Sequence, residues 1–333
     1  MREIARLNKI KLNEQSLSKQ WLFWLSILIP LIISLMLSIP LWLQTKINLS
    51  PEGYDTFLKV FKLPIGVLSL SIPFVAIVAH IHRTIQTAKQ IELTNQKNIT
   101  DRFFSHHKYI VDSFSSIKGN DFKINKTTIT PKISHPHALY NKTFPTSSYI
   151  SGVDISSKKF YVDSLLELFS SVDDLLEEAE MIFLGNELPH QRISKSAMNF
   201  GRLWMTINEI NRMIEFSTQS ITLGEHFKFL AKDVSHEVKL VIPYVNENEL
   251  KEIIGATIFI TNHILEVIGD GKRVSFESNK FIFEYHIKSE INLYDNIFKG
   301  LVKSNEGCIF SMGKNILSKD EIDAYEFLPK YKE

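Results

Sequence analysis

Apolar residues crowd into two uncharged stretches near the N-terminus, Trp21–Leu43 of 23 residues and Leu63–Ile81 of 19. A helix rises about 1.5 Å per residue and a bilayer's hydrocarbon core is about 30 Å thick, so about 20 apolar residues cross it. Both stretches reach that length without an Asp, Glu, Lys or Arg, and His80 stands at an end. The first is apolar on all faces rather than along one stripe, which argues against a helix of a soluble core. A cleaved signal peptide is the other reading of it, since Arg2, Arg6, Lys9, Lys11 and Lys19 precede it. It is longer, however, than a signal core of about 7–15 residues. No small-x-small cleavage site follows, and the second stretch arrives after a short loop. The pattern predicts a membrane hairpin ahead of a large soluble domain.

Charge sets the expected topology. Five Lys/Arg precede the first span, three (Lys46, Lys59, Lys62) lie in the 44–62 loop, and three follow within twenty residues of Ile81. The positive-inside rule puts the richer flank in the cytoplasm. The N-terminus and the C-terminal domain are then cytoplasmic and the loop periplasmic. A single cysteine, Cys308, agrees, because exported domains of this size more often carry paired disulfides. Trp21, Trp24 and Trp42 fall near the span ends, where indoles favour the interface. Pro30 and Pro73 lie at similar distances from the cytoplasmic ends of their spans, and small residues (Ser34, Ser38, Ser69, Ala76, Ala79) recur between them. One reading is a hinge level in an oligomeric assembly that perturbs the membrane. The other is that prolines are simply common in membrane helices.

Beyond the spans, Ile81, Ile85, Ala88, Ile91, Asn95, Ile99, Phe103, His106, Ile110, Phe114 and Ile117 step by three or four, the period of one helix face. This predicts a helical stalk over 82–117, polar from Gln86 to Asn98, with Phe103 and Phe104 starting a buried face. From Lys118 to Lys159 seven lysines face two aspartates, a local net charge of +5, with Phe122, Tyr140, Phe144 and Tyr149 interleaved. Lysines for phosphates and rings for bases suit single-stranded nucleic acid, so Lys123, Lys126, Lys132, Lys142 and Tyr140 are candidate nucleic-acid or partner contacts. A solvated irregular segment is the alternative. Residues 82–333 carry a net charge of −3, which does not support a dedicated nucleic-acid reader.

Helices are predicted at Phe160–Leu184, Ser194–Thr218, Leu223–Leu240 and Glu247–Ile268. A β-hairpin is predicted from Arg273–Glu277 and Phe281–Ile287, then a short helix and a polar tail. The fold class is thus a membrane protein: a two-helix transmembrane hairpin followed by a mainly α-helical (α+β) cytoplasmic domain with one β-hairpin. Its parts are a flank over 1–20, spans over 21–43 and 63–81 around the 44–62 loop, the stalk, and a soluble domain over 118–333.

Chemistry is sparse. There is no Gly-rich phosphate loop, no Gly-x-Ser-x-Gly elbow and no Cys-x-x-Cys. His236-Glu237 opens like a zinc-protease motif, but Leu240 stands where the second ligand belongs. His263 and Glu266 share a helix face without a partner pair. His106-His107 and His135-x-His137 could converge on a metal, although a core role for His106 and a loop role for His137 is the simpler account. Cys308 needs a converging His and acid to be catalytic. No enzyme activity, cofactor or metal site is expected.

Three segments carry a resemblance: Arg83-Thr-Ile-Gln-Thr-Ala-Lys-Gln-Ile-Glu-Leu-Thr-Asn-Gln-Lys-Asn98, Phe103-Phe-Ser-His-His-Lys-Tyr-Ile-Val-Asp-Ser-Phe114 and His135-Pro-His-Ala-Leu-Tyr-Asn-Lys-Thr-Phe-Pro145. With the two spans before them, they resemble a group of bacterial two-span membrane proteins, in particular the transmembrane effectors of retron antiphage systems. The resemblance covers about the first 150 residues. It implies an effector in the inner membrane, held silent by a reverse transcriptase and its RNA–DNA hybrid. Phage infection would release it to damage the membrane and cause growth arrest or death. It carries over no catalytic residue. The competing expectation is a membrane-tethered sensor or binding module without toxicity of its own.

Overall fold

The computed structural model describes residues 15–186, 188–217, 225–232 and 236–314, in two compact units, Met1–Ile99 and Thr100–Glu333. The basic flank before residue 15 and the tail beyond 314 lie outside the described residues.

In the first unit a 3₁₀ turn at Leu17–Lys19 precedes α1 (Trp21–Trp42), then α2 (Pro51–Val60), α3 (Lys62–Ser69) and α4 (Ser71–Ser116). Two stretches, Trp21–Trp42 and Lys62–Ser116, are long and apolar enough to cross a membrane. One stripe of α1 is buried: Ser26, Pro30, Ser34 and Ser38, one residue in four. Residues four apart share a helix face, and their small size lets α1 and α3 pack closely. The Ser34 hydroxyl donates to the Pro64 carbonyl (2.9 Å), and His82 Nε2 lies 2.7 Å from the Gln15 carbonyl. These two contacts fix an antiparallel register.

Of the two prolines expected at one level, Pro30 is buried in the seam of α1, whereas Pro73 is exposed. The predicted helix over 63–81 lies within the apolar helical stretch Lys62–Ser116, with a one-residue irregularity at Leu70, whose own dihedrals stay helical. Proline has no N–H to give the carbonyl four residues back, and its ring collides with it. The Leu70 N–H turns to Val67 O (3.2 Å), and the Ser69 hydroxyl donates to Gly66 O (2.7 Å). Ser69 therefore serves the backbone at the irregularity and, like Ala76, is exposed rather than part of the seam.

In the second unit, Ile110, Val111 and Phe114 at the end of α4 enter the core. The small hairpin β1 (Phe122–Ile124) and β2 (Thr127–Ile129) follows, then α5 (Pro136–Thr143), α6 (Lys158–Leu184) and α7 (Pro189–Met213). Strands β3 (His226–Lys232) and β4 (His236–Ile242) precede α8 (Glu247–Val267), α9 (Lys280–Ile287), α10 (Asp295–Lys299), β5 (Val302–Ser304) and β6 (Ile309–Lys314). The four later strands form one antiparallel sheet in the order β5-β3-β4-β6. Helix α7 packs on it, close enough at Gly201 that a β-carbon there would run into the Phe310 ring.

Two predicted elements change type. The expected helix over Leu223–Leu240 is instead β3 and β4. Phe229, Ala231, Val238, Leu240 and Ile242 are buried at every second position, with Val241 buried as well, and a period of two belongs to strands. The expected β-hairpin over Arg273–Glu277 and Phe281–Ile287 is an irregular segment followed by α9. The Asn262 side chain holds Val274 on both sides, accepting from its N–H (2.9 Å) and donating to its carbonyl (3.0 Å), so an amide side chain replaces a strand partner. An Asp173 oxygen from α6 accepts from Ile282 N (2.8 Å) near the start of α9, serving an N–H that a helix's first turn leaves without an intrahelical partner.

A buried polar lock closes this unit. One Glu247 oxygen accepts from the Tyr285 hydroxyl (2.8 Å) and Leu293 N (2.8 Å), and the Tyr294 N–H lies within 3.2 Å of both. Lys251, one turn on, donates to the carbonyls of Lys288 (3.0 Å) and Ile291 (2.6 Å). Burial pushes the Glu247 carboxyl up and the Lys251 ammonium down. The segment from Lys288 to Tyr294 is thereby stitched to α8. Glu247→Ala strands three donors and is expected to cost about 3 kcal/mol, against about 1 kcal/mol for Tyr285→Phe. Denaturant unfolding of the full chain in detergent checks the ratio.

Candidate functional site

Two of the segments that carry the family resemblance meet in the second unit. Helix periodicity puts Phe103, His106 and His107 on one side of α4, and α5 lays His137 and Tyr140 against them. Pro136 opens α5 at its first turn, where a missing N–H costs nothing. The Tyr140 hydroxyl lies 3.1 Å from His106 Nδ1. Its ring meets His107 edge-on, with centroids 4.5 Å apart, and Phe144 lies 5.1 Å away. The His107 and His137 rings stack at 5.2 Å.

Burial, and then each neighbouring imidazole, hold His106 and His107 below the usual histidine range. Burial also pushes the Tyr140 phenol up. Neutral rings that stack and share one hydrogen bond form a clamp between α4 and α5. The cluster offers no nucleophile and no carboxylate. His135 is turned elsewhere, its Nδ1 3.1 Å from Glu215 Oε2. Among the described residues no three His, Cys, Asp or Glu side chains gather as a metal would require.

The lysine-and-aromatic constellation is only partly assembled. Tyr140 is 1% exposed and Phe144 2%, so neither can stack on a base, which corrects the assignment of Tyr140 as a contact. Lys142 is held by the Arg212 carbonyl (2.6 Å) and by Glu215, so its charge is already matched within the fold. Lys158 caps the end of α8, donating to Ile268 O (2.7 Å) and Gly269 O (3.1 Å). Lys123, Lys126 and Lys132 are exposed on β1, on its turn and beyond β2.

Other sequence candidates fall away. His236 and Glu237 start a strand, not the helix that a zinc-protease motif needs. His263 Nδ1 lies 2.8 Å from the Phe259 carbonyl one turn back. Burial pushes the Cys308 thiol up to about 11, the opposite of what a nucleophile requires. An open cleft of about 330 Å³ lies between the end of α6 and the start of α7, lined by Glu178, Met181, Met198, Asn199 and Arg202 among others. Its polar groups are already matched: Asn199 donates to Leu175 O (2.9 Å) and Glu178 (3.0 Å) and accepts from the Tyr294 hydroxyl (2.5 Å), while Arg202 reaches Glu178 (3.3 Å).

The histidine clamp has a signed pH dependence. His106 and His107 bind protons less readily in the fold than in the unfolded chain. Their contribution to stability is therefore complete above the ordinary histidine value, about pH 6.5, and is lost as pH falls through the depressed values. The unfolding midpoint is expected to drop between about pH 7 and pH 5, and His107→Asn to flatten that slope. Thermal scans at several pH values check it.

No protein-family model, curated protein or solved structure matches this chain.

Proposed function

We propose that this chain is a membrane effector of antiphage defence: its apolar hairpin acts on the inner membrane, the unit from Thr100 onward senses, and a partner reverse transcriptase with its RNA–DNA hybrid holds it silent until infection. What carries the reading is the outward face of the hairpin. Leu28, Ile29, Ile32, Ile33, Leu35 and Met36 of α1 are exposed, as are Ile65, Ile72, Phe74 and Ile77 across the seam. Each apolar Å² left in water costs about 25 cal/mol, and a patch this continuous is a surface for lipid rather than for solvent.

The defence setting rests on the resemblance of residues 83–98, 103–114 and 135–145. It gives the partner class, a reverse transcriptase with its RNA–DNA hybrid. Lys123, Lys126 and Lys132 are exposed and could meet a phosphate backbone. Both termini are assigned to the cytoplasm on the charge of the flanks, and the effector acts as a homo-oligomer. The second reading, a sensor or binding module tethered by its spans, draws on the open cleft between α6 and α7.

Expression of the chain without partner genes is expected to collapse the membrane potential and arrest growth, read with a voltage-sensitive dye and by plating. Replacing residues 21–81 with an unrelated two-span hairpin is expected to abolish both effects. Unchanged potential and growth with the native chain would overturn the effector reading, and activity in the chimera would establish the tether. Changing Lys123, Lys126 and Lys132 together to Glu is expected to lose co-purification of the reverse transcriptase while membrane fractionation stays the same.

A further inference from the structure

The loop between the two spans contains an element that composition alone does not announce. Helix α2 carries Tyr54, Phe57 and Leu58 on one side, and the sequence spacing continues that side to Phe61; Glu52, Asp55, Thr56 and Lys59 lie on the other. At 100° per residue the apolar set spans about 100°. Tyr54 is 60% exposed, Leu58 59% and Phe57 46%. In the connector ahead of it, Leu43, Ile47 and Leu49 stand open as well.

The helix is built in, not loosely tethered. Ser50 caps it, its hydroxyl accepting from Gly53 N (3.2 Å), and Asn48 Oδ1 accepts from Ser50 N (3.0 Å). A β-carbon on Gly53 would collide with the Asn48 carbonyl, so glycine is what lets the connector fold against the first turn. At the far end Phe61 is 5% exposed, stacked on Phe57 at 4.7 Å and against Trp42 at 6.4 Å. Only Phe61 separates α2 from α3, so the helix cannot leave the end of the second span.

We infer that α2 is an interfacial helix, lying in the headgroup–acyl boundary of the membrane that α1 and α3–α4 cross, with Tyr54, Phe57 and Leu58 in lipid. The inference rests on the membrane reading above. The occupant is set by position: the C-terminal end of α2 is held, through Phe61 against Trp42, where the apolar helices end. Its chemistry is set by charge. The polar face carries Glu52 and an Asp55–Lys59 ion pair, with no excess of Lys or Arg to seek anionic lipid. Apolar area therefore drives the seating, which makes it insensitive to anionic lipid and to salt.

The test uses the full-length chain with Cys308→Ser, reconstituted in phosphatidylcholine vesicles. Single cysteines replace Tyr54, Leu58, Asp55, Thr56 or, on the outer face of α1, Ile33, and carry an environment-sensitive fluorophore. Labels at 54 and 58 are expected to be blue-shifted and quenched by lipids with a nitroxide near the headgroup, while labels at 55 and 56 stay wet. The contrast should survive high salt and added phosphatidylglycerol. Wet labels at all four positions, with the Ile33→Cys label quenched by a deep nitroxide, would overturn the interfacial helix and leave the spans standing. A blue shift at 54 and 58 without nitroxide quenching would also overturn it, in favour of a protein neighbour. A wet label at position 33 would overturn the membrane reading itself.

Discussion

Inside hydrocarbon a peptide carbonyl has no water to turn to, and each one left without a donor costs several kcal/mol. In a bilayer the first unit would meet that constraint. Pro73 withholds an N–H from the Ser69 carbonyl, and just before it the Leu70 N–H bonds Val67 O while the Ser69 hydroxyl bonds Gly66 O. Ser34 sets the register by reaching across to Pro64, and Ser38 donates back to the Ser34 carbonyl (2.8 Å). Serine hydroxyls thus do within the hairpin what solvent does elsewhere. Because they are small, they also let the helices pack closely.

The second unit meets the same constraint with larger side chains. Glu247 and Lys251 are placed one turn apart on α8, and between them they take up two N–H groups and two carbonyls of a segment with little regular structure of its own, and the Tyr285 hydroxyl of α9. Asn262 and Asp173 do likewise for the chain before and at the start of α9. The candidate site shares this character. The His107–His137 stack and the His106–Tyr140 contact join two elements and leave no reactive group in excess.

Legibility in the sequence followed the range of the interactions. The hairpin, the long helix through Phe114, and the helices near Phe160–Leu184 and Glu247–Ile268 announce themselves through local periodicity. The strands β3 and β4 are as local in their signal, since Phe227, Phe229 and Ala231 alternate with Lys228, Leu230 and Lys232, a period of two that a helix does not share. The hairpin expected at Arg273–Ile287 failed for a non-local reason, since Asn262 and Asp173 lie 12 and 109 positions away from the groups they hold. The same distance hid the fate of Tyr140 and Lys142, whose partners come from α4 and from the end of α7. Helix α2 shows the reverse case: a face at spacings of three and four was present in the sequence and was masked by the short loop it sits in.

The irregularity at Leu70 also bears on how the chain would enter a bilayer. Eight residues of α3 amount to about 12 Å of rod, less than half a hydrocarbon thickness. Neither α3 nor the opening turns of α4 could be integrated as a separate crossing. They have to partition together as one jointed segment, and Pro64 finds the Ser34 hydroxyl only once α1 already lies beside it. Were the hairpin to enter a bilayer, the earlier helix would thus offer a template for the later one.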